Sequence, residues 1–134
     1  MEVACGMREK MKIFGNDYDT RDGTCIRDYV HVTDLAIAHV KALDYIVKNN
    51  ESLTVNLGSE NGTSVTEMVE SARRITGQKI PADYVERRPG DPACLVASAK
   101  FAAEKLNWKA QYSDIDTLIE TTYKAYKKYN EEHK

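Results

Sequence analysis

Two arginines and an aspartate surround a Pro-Gly turn in the sequence RRPGDPA, residues 87–93. The chain has only three prolines, and two of them, Pro89 and Pro92, lie in this loop and stiffen it. A guanidinium presents a planar fork of donors that suits phosphate oxygens. Because Arg87 and Arg88 are adjacent, they point to opposite sides of an extended segment, and we expect at most one of them to join a shared site.

A third arginine, Arg27, lies in the strand-like sequence CIRDYVHV, residues 25–32. Strand alternation places Arg27, Tyr29 and His31 on one face. Arg27 together with one arginine of the 87–93 loop would make a clamp for a diphosphate. The residues alone allow a simpler interpretation, in which Arg88 pairs with Asp91 across the turn as an exposed ion pair of roughly 0 to 1 kcal/mol.

The common signatures of catalytic and cofactor sites are missing from the sequence. It contains no glycine-rich dinucleotide loop, P-loop, G-x-S-x-G elbow or HExxH motif. The cysteines at positions 5, 25 and 94 form no metal-ligand spacing, and so few ligands predict no metal site. We expect His39 to be a hydrogen-bonded core residue of its helix. The sequence therefore predicts a binding site and no catalytic residue of its own.

Length and composition describe an ordinary globular domain. The 134 residues are 42% hydrophobic and 30% charged, which is enough for one core. A net charge of −2 argues against nucleic-acid binding, and no apolar run approaches the roughly 18 residues that span a bilayer. Unpaired cysteines and the lack of a leader signal predict a cytoplasmic protein with reduced thiols.

Helical and strand-like segments alternate along the chain, which predicts α/β packing. The capping box Ser64-Val-Thr-Glu67 begins a helix that Gly77 ends. Three further helices are predicted at 34–48 with Thr33 or Asp34 as N-cap, after Ser98, and after Ser113. Strands are predicted at 11–14, 25–32, 53–58, 82–86 and 94–97.

Residues 34–58 form a helix–strand unit that has no obvious neighbours. The strand LTVNLG carries Leu53, Val55 and Leu57 on alternate positions after a broadly apolar helix. Such a unit belongs to a parallel sheet that is covered on both faces. We therefore expect these side chains, and the helix stripe from Leu35 to Ile46, to be partly bare in this chain.

Several motifs together resemble one known family. The sequence IFGNDYDTRDGTCIRDYVHVTDLAIAHVKAL, residues 13–43, is similar to the central signature of the UDP-glucose 4-epimerase family of extended short-chain dehydrogenases/reductases. VNLG, ERRPGDPA and ASAKFAAEKLNW follow in that family's order. The resemblance covers residues 3 to 130, which is nearly the whole chain.

The resemblance concerns only the C-terminal part of such an enzyme. It implies one partial α/β unit, 1–134, which is the substrate-binding lobe, with residues 34–58 returning to a Rossmann sheet. The family's glycine-rich loop, catalytic Ser/Thr and Tyr-x-x-x-Lys pair have no counterpart here, so we expect this chain alone to bind no NAD and to be inactive. The resemblance implies that the full-length enzyme is usually a homodimer through its N-terminal half, and we expect this chain alone to be marginally stable, to self-associate, or to be rescued by that half added in trans.

The resemblance also assigns a UDP site to five residues. Arg27 and Arg88 would bind the two phosphates, and Asp91 would hold the ribose hydroxyls. Phe14 would lie near the uracil, which Lys12 would contact through its backbone. The chain departs from the family pattern at position 89, where proline replaces alanine or glutamate, and at Cys94.

The function that the resemblance implies is the NAD-dependent interconversion of UDP-glucose and UDP-galactose in galactose metabolism, with this chain supplying the UDP-binding half. Two alternatives stay open from the sequence. The chain could be a UDP-sugar-binding fragment without catalysis. It could also belong to another UDP-sugar epimerase, such as one that acts on UDP-N-acetylglucosamine.

Overall fold

A computed structural model describes residues 1–133. In chain order the elements are β1 (Met11–Phe14), β2 (Ile26–Arg27), α1 (Val32–Asn49), β3 (Thr63–Ser64), α2 (Val65–Thr76), β4 (Ala82–Val85), β5 (Cys94–Leu95), α3 (Lys100–Leu106) and α4 (Ile115–Glu132). Helices and short strands alternate, as the sequence predicts.

The strands form two small sheets. β1 and β4 are parallel, with Met11 opposite Ala82 and Phe14 opposite Val85. The second sheet has the order β3-β2-β5, in which β2 is antiparallel to β3 and parallel to β5. β3 has only two residues and no strand-like pattern, which is why the sequence did not predict it.

The prediction of a strand at 53–58 is wrong for this structure. Residues 51–59 have no helix or strand assignment, and no strand of residues 1–133 pairs with them. A β-strand needs a partner for its backbone N–H and C=O groups, and the segment meets none. Leu53, Val55 and Leu57 instead pack, half-buried, against the cluster between α1 and α3. The strand predicted at 25–32 is likewise reduced to Ile26–Arg27.

Two hydrophobic clusters hold the elements together. The first joins β1, α2 and α4 around Ile13, Val69 and Ile119. The second joins α1 and α3 around Ala102, which is fully buried, and Trp108. The Trp108 indole N–H donates to the Asp34 carbonyl at 2.9 Å, so this large side chain is both packed and hydrogen-bonded.

The helix caps divide into predicted and unpredicted ones. The Ser64–Glu67 capping box is present, and α2 ends at Gly77 with a positive φ of 65°, as predicted. The other predicted caps are wrong. His31 caps α1, Asp114 caps α4, and α3 starts after Ala99 without a side-chain cap.

The outer face of α1 is apolar and exposed. Val32, Val40, Leu43 and Val47 repeat at helical spacing and are 72%, 62%, 61% and 76% exposed. Of the stripe predicted from Leu35 to Ile46, Leu43 and Ile46 are exposed whereas Ala38 is buried, so the stripe is partly bare, as expected. His39 lies on this outer side and not in the core as expected; its Nδ1 lies 2.7 Å from the Leu35 carbonyl oxygen of its own helix.

No helix within residues 1–133 is both long enough and apolar enough to cross a membrane. In the same residues, no group of three or more histidine, cysteine, aspartate and glutamate side chains could hold a metal ion.

Candidate functional site: an arginine–aspartate cluster beside β1

Asp91 lies between the two arginines that the sequence singled out. Arg27 Nη2 donates to Asp91 Oδ1 at 2.9 Å, and Arg88 Nε lies 3.3 Å from Asp91 Oδ2. The turn itself is closed by the Asp91 N–H, which donates to the Arg88 carbonyl at 3.2 Å. The Arg88–Asp91 ion pair expected from the residues alone is present, and the same carboxylate also joins Arg27 to it.

Arg27 is held firmly at the end of β2. Its Nη1 donates to the carbonyls of Ile26 and Pro92 at 2.8 and 2.9 Å, in addition to the bond with Asp91. Partial burial opposes the charge, but the hydrogen bond with Asp91 raises the pKa of Arg27 above its ordinary value. Arg27 therefore stays a cation at the end of β2.

Arg88 and Phe14 are stacked. The guanidinium carbon lies 4.4 Å from the centre of the Phe14 ring, which is the geometry of a cation–π contact. Phe14 is the last residue of β1 and is half-buried, whereas the Arg88 side chain is 64% exposed. The structure thus brings Phe14, Arg88, Asp91 and Arg27 into one continuous cluster.

Lys12 lies on the same strand, two residues before Phe14, with an exposed side chain. No ion pair described within residues 1–133 joins Lys12 to Asp91. The N–H groups of Met11 and Gly15 donate to β4 and its flanks, so by alternation those of Lys12 and Phe14 face the other edge of β1. No strand of the described residues pairs with that edge, so its backbone groups can meet a ligand.

Arg87 turns away from the cluster, as expected of the neighbour of Arg88. Its Nε donates to Asp17 Oδ1 at 2.7 Å, and its guanidinium lies 4.1 Å from the centre of the Tyr18 ring. Gly15 permits this packing. A Cβ at Gly15 would lie 2.4 Å from Tyr18 Cε2 and 2.8 Å from Arg87 Cγ, and the residue has a φ of 84°.

Asp28 positions the loops around the cluster, a role that was not predicted from the sequence. Its carboxylate accepts from the Ser59 N–H at 2.9 Å, from the Ser59 hydroxyl, and from the Ala97 N–H at 3.1 Å. A Cβ on Gly58 would lie 2.4 Å from Asp28 Oδ2, so only glycine fits beside this carboxylate. One feature of the sequence could have indicated this role for Asp28, namely an acidic residue directly after Arg27 in a segment with few other charges.

The fold and this cluster define an α/β lobe of the kind found in extended short-chain dehydrogenases/reductases. The chain belongs to the family described as GDP-mannose 4,6 dehydratase, whose sequence profile matches residues 1–122.

Three individual proteins that are similar to this chain carry the name UDP-glucose 4-epimerase. A UDP-glucose 4-epimerase of Streptococcus mutans is 50% identical over 129 residues, which are 96% of this chain and 39% of the relative. A crystal structure of a UDP-glucose 4-epimerase is 48% identical with a TM-score of 0.92, over 96% of this chain and 39% of that one. The epimerase of Stenotrophomonas maltophila, with bound NAD and formylated UDP-arabinopyranose, is 38% identical with a TM-score of 0.93, over 99% and 39%.

The chain thus spans about two fifths of the length of the relatives it matches. The predicted resemblance to the epimerases and the predicted fold class are confirmed, apart from the strand at 53–58.

Proposed function

We propose that this chain is the UDP-binding part of a UDP-glucose 4-epimerase, an NAD-dependent isomerase that interconverts UDP-glucose and UDP-galactose. The observation that carries the proposal is the cluster of Arg27, Arg88 and Asp91 beside Phe14, in a chain 50% identical to an epimerase. Two cations, one acid and one aromatic ring match the two phosphates, the ribose and the base of UDP.

Each residue has a role that follows from its chemistry. Arg27 and Arg88 hold the diphosphate through charge-assisted hydrogen bonds. Asp91 accepts from the ribose hydroxyls, and the uracil stacks on Phe14. The unpaired backbone edge at Lys12 and Phe14 offers N–H and C=O groups to the hydrogen-bonding edge of the base.

NAD supplies a reversible hydride acceptor when it is bound to a complete epimerase, but the residues of this chain do not fit it. The sequence has no glycine-rich phosphate loop. At the junction of β3 and α2, where such a loop could bind phosphates, the Ser64 and Glu67 N–H groups are already satisfied by the capping box. We infer that this chain alone neither binds NAD nor interconverts the sugars.

The dinucleotide-binding half of the enzyme packs against two parts of this chain, the exposed face of α1 and the unpaired segment 51–59. Support comes from the exposure of Val40, Leu43 and Val47, and from the alternating apolar pattern of a segment that lacks a partner strand. In the assembled enzyme the segment becomes a strand of the larger sheet, and α1 covers one face of that sheet.

Titration calorimetry with UDP and GDP tests the ligand, since the family description names a GDP-sugar. The proposal expects UDP to bind and GDP to bind more weakly, because guanine presents a different pattern of donors and acceptors from uracil to the backbone edge at Lys12 and Phe14. Equal affinity for the two nucleotides, or no binding of UDP, would contradict the proposed ligand. Interconversion of UDP-glucose and UDP-galactose by the pure chain would contradict the inference that this chain alone is inactive.

An alternative is a UDP-sugar epimerase with a different hexose preference, such as one for UDP-N-acetylglucosamine. The observation that favours it is the likeness to the UDP-Glc/GlcNAc 4-epimerase of Campylobacter jejuni, which is 40% identical with a TM-score of 0.86 over 95% of this chain and 38% of that one. The alternative places the same nucleotide on the same cluster, so comparing UDP-glucose with UDP-N-acetylglucosamine as substrates of the assembled enzyme separates the two.

A further inference from the structure

We propose that Asp22 is a positioning residue, which fixes the spacing between the two ends of the candidate site, the ring of Phe14 and the guanidinium of Arg27. The inference rests on the proposed function, because it takes UDP as the ligand that meets both ends. Asp22 lies in the loop between β1 and β2 and is not part of the arginine–aspartate cluster.

The two ends of the site belong to different sheets. Phe14 ends β1 in the two-stranded sheet, whereas Arg27 ends β2 in the three-stranded sheet. No backbone ladder of the described residues joins the two sheets, so neither sheet sets the distance between the Phe14 ring and the Arg27 guanidinium. That distance depends on the loops that connect the sheets, and residues 15–25 form the loop that joins β1 directly to β2.

Asp22 closes this loop on itself. Its Oδ1 accepts from the Thr24 N–H at 2.9 Å and from the Thr24 hydroxyl at 2.7 Å. An aspartate that accepts from the N–H two residues further on forms an Asx turn, which takes the place of a backbone turn. The Thr20 hydroxyl donates to the Thr24 carbonyl at 2.7 Å, and the Tyr18 N–H donates to the Gly23 carbonyl at 2.9 Å. The loop is therefore closed by side-chain hydrogen bonds as well as by its backbone.

The other carboxylate oxygen of Asp22 anchors the loop to the start of α2. This Oδ2 accepts from the hydroxyl of Ser64, which is fully buried. Ser64 belongs to β3, which pairs with β2, and it caps α2, which packs against β1 in the first hydrophobic cluster. The bond from Ser64 thus ties the loop to a junction that contacts the strands of both sheets.

Asp22 keeps its charge in this network. Burial acts to raise the pKa of Asp22, but the hydrogen bonds from Ser64 and Thr24 outweigh burial and lower the pKa below its ordinary value. Hydrogen bonds to a charged acceptor are roughly twice as strong as neutral ones. Thr24 is fully buried, so the carboxylate, and not water, satisfies its hydroxyl. Loss of Asp22 would therefore loosen the loop without removing a residue of the cluster.

A fixed spacing matters for a ligand that binds at both ends of the site at once. When the base and the phosphates belong to one molecule, binding at one end holds the other end in place. This advantage falls when the two ends of the site move relative to each other, because that freedom must then be lost on binding. Molecules that fill only one end gain nothing from the spacing. The affinity for UDP thus depends on Asp22, whereas the affinities for its separate pieces do not.

Titrations of Asp22→Ala with UDP, uridine and inorganic diphosphate, followed by NMR so that weak binding is measured, test the inference. We expect the affinity for UDP to fall by about tenfold, while the affinities for uridine and inorganic diphosphate each change by less than about twofold. Asp22→Asn keeps an acceptor oxygen for the Thr24 N–H and should recover part of the lost UDP affinity. The matched control is Asp19→Ala, which removes the same charge from an exposed position of the same loop and should leave all three affinities unchanged.

The outcomes separate this inference from the proposed function. If Asp22→Ala binds UDP as tightly as the unmodified chain, or loses affinity for all three ligands alike, the positioning role is overturned and the proposed function stands. If the unmodified chain binds neither UDP nor uridine, the proposed function fails and the inference fails with it. If thermal melting shows that Asp22→Ala is unfolded, Thr20→Val decides the question with the same expected pattern, because it removes the hydroxyl bond to the Thr24 carbonyl and leaves Asp22 in place.

Discussion

The carboxylate of Asp34 accepts a hydrogen bond from the Ser113 hydroxyl at 2.6 Å and thereby ties the first turn of α1 to the start of α4. Asp34 is fully buried, and the N–H groups of Gln111 and Tyr112 also donate to it, each at 2.9 Å. One side chain thus organises the loop between α3 and α4, and the connection spans 79 residues of sequence.

Replacement of Asp34 by alanine should destabilise the fold. It removes three hydrogen bonds and leaves the buried Ser113 hydroxyl without its acceptor, which typically costs roughly 2 to 4 kcal/mol. Urea unfolding measures the change. Asp44→Ala is the matched control on the same helix, because that side chain is exposed, and its effect should stay within about 0.5 kcal/mol. Equal effects of the two changes would contradict the role of Asp34.

Acid should remove the contribution of Asp34 to stability. Burial acts to raise its pKa, but the hydrogen bonds from Ser113 and from the backbone of Gln111 and Tyr112 outweigh burial and lower it. A pKa that is lower in the folded than in the unfolded chain adds stability above the unfolded value of about 4, and this is lost as the pH falls through the folded value. The difference in unfolding free energy between the unmodified chain and Asp34→Ala should therefore shrink below about pH 4. A difference that stays constant from pH 7 to pH 3 would be evidence against this linkage.

Neighbouring arginines in the 87–93 loop should behave differently towards UDP. The proposed function assigns Arg88 to a phosphate, so Arg88→Ala should weaken UDP binding by roughly 1.5 to 3 kcal/mol, or about ten- to a hundredfold in affinity. Arg87→Ala is the matched control, because Arg87 pairs with Asp17 on the other side of the loop. Calorimetry that found unchanged UDP affinity in Arg88→Ala would assign Arg88 to the surface ion pair alone.

A charge on the outer face of α1 should reduce self-association. Val40, Leu43 and Val47 expose apolar surface, which forgoes roughly 25 cal/mol per Å2 that burial would provide. We expect the unmodified chain to associate in sedimentation experiments and to bind a hydrophobic dye, and Leu43→Lys to weaken both. Thr122→Lys adds the same charge to an exposed position on α4 and should change neither. A clean monomer that binds no dye and unfolds cooperatively would refute this expectation.

The dinucleotide-binding half of a relative, added in trans, should cover the same face. We expect it to raise the melting temperature of this chain and to abolish the dye signal, since a ligand that binds only the folded state stabilises it. Leu43→Lys should weaken this rescue, whereas Thr122→Lys should not. An unchanged melting temperature with the unmodified chain would show that this face is not the contact surface.

Part of the fold could be predicted from the sequence because it depends on local interactions. The capping box of Ser64 and Glu67, the end of α2 at Gly77, and the strand Met11–Phe14 were predicted, because each depends on residues within a few positions of one another. The opposite directions of Arg87 and Arg88 were predicted for the same reason.

The features that were predicted wrongly depend on long-range contacts. Ser113 was predicted as the cap of α4, but its hydroxyl donates to Asp34, and Asp114 takes the cap. Residues 53–58 have the pattern of a strand, yet a strand also needs a partner, and the pattern does not say whether one is present.

The candidate site shows the same division. The sequence determined which side chains could bind a diphosphate, because the fork of arginine and the charge of aspartate are properties of the residues themselves. Only the tertiary structure decided that Arg27 and Arg88, 61 positions apart, share one carboxylate, and that Arg88 lies on the ring of Phe14. The physical reason is that side-chain type and local spacing follow directly from the sequence. The pairing of distant loops depends instead on how the β1–β4 and β3-β2-β5 sheets bring those loops together.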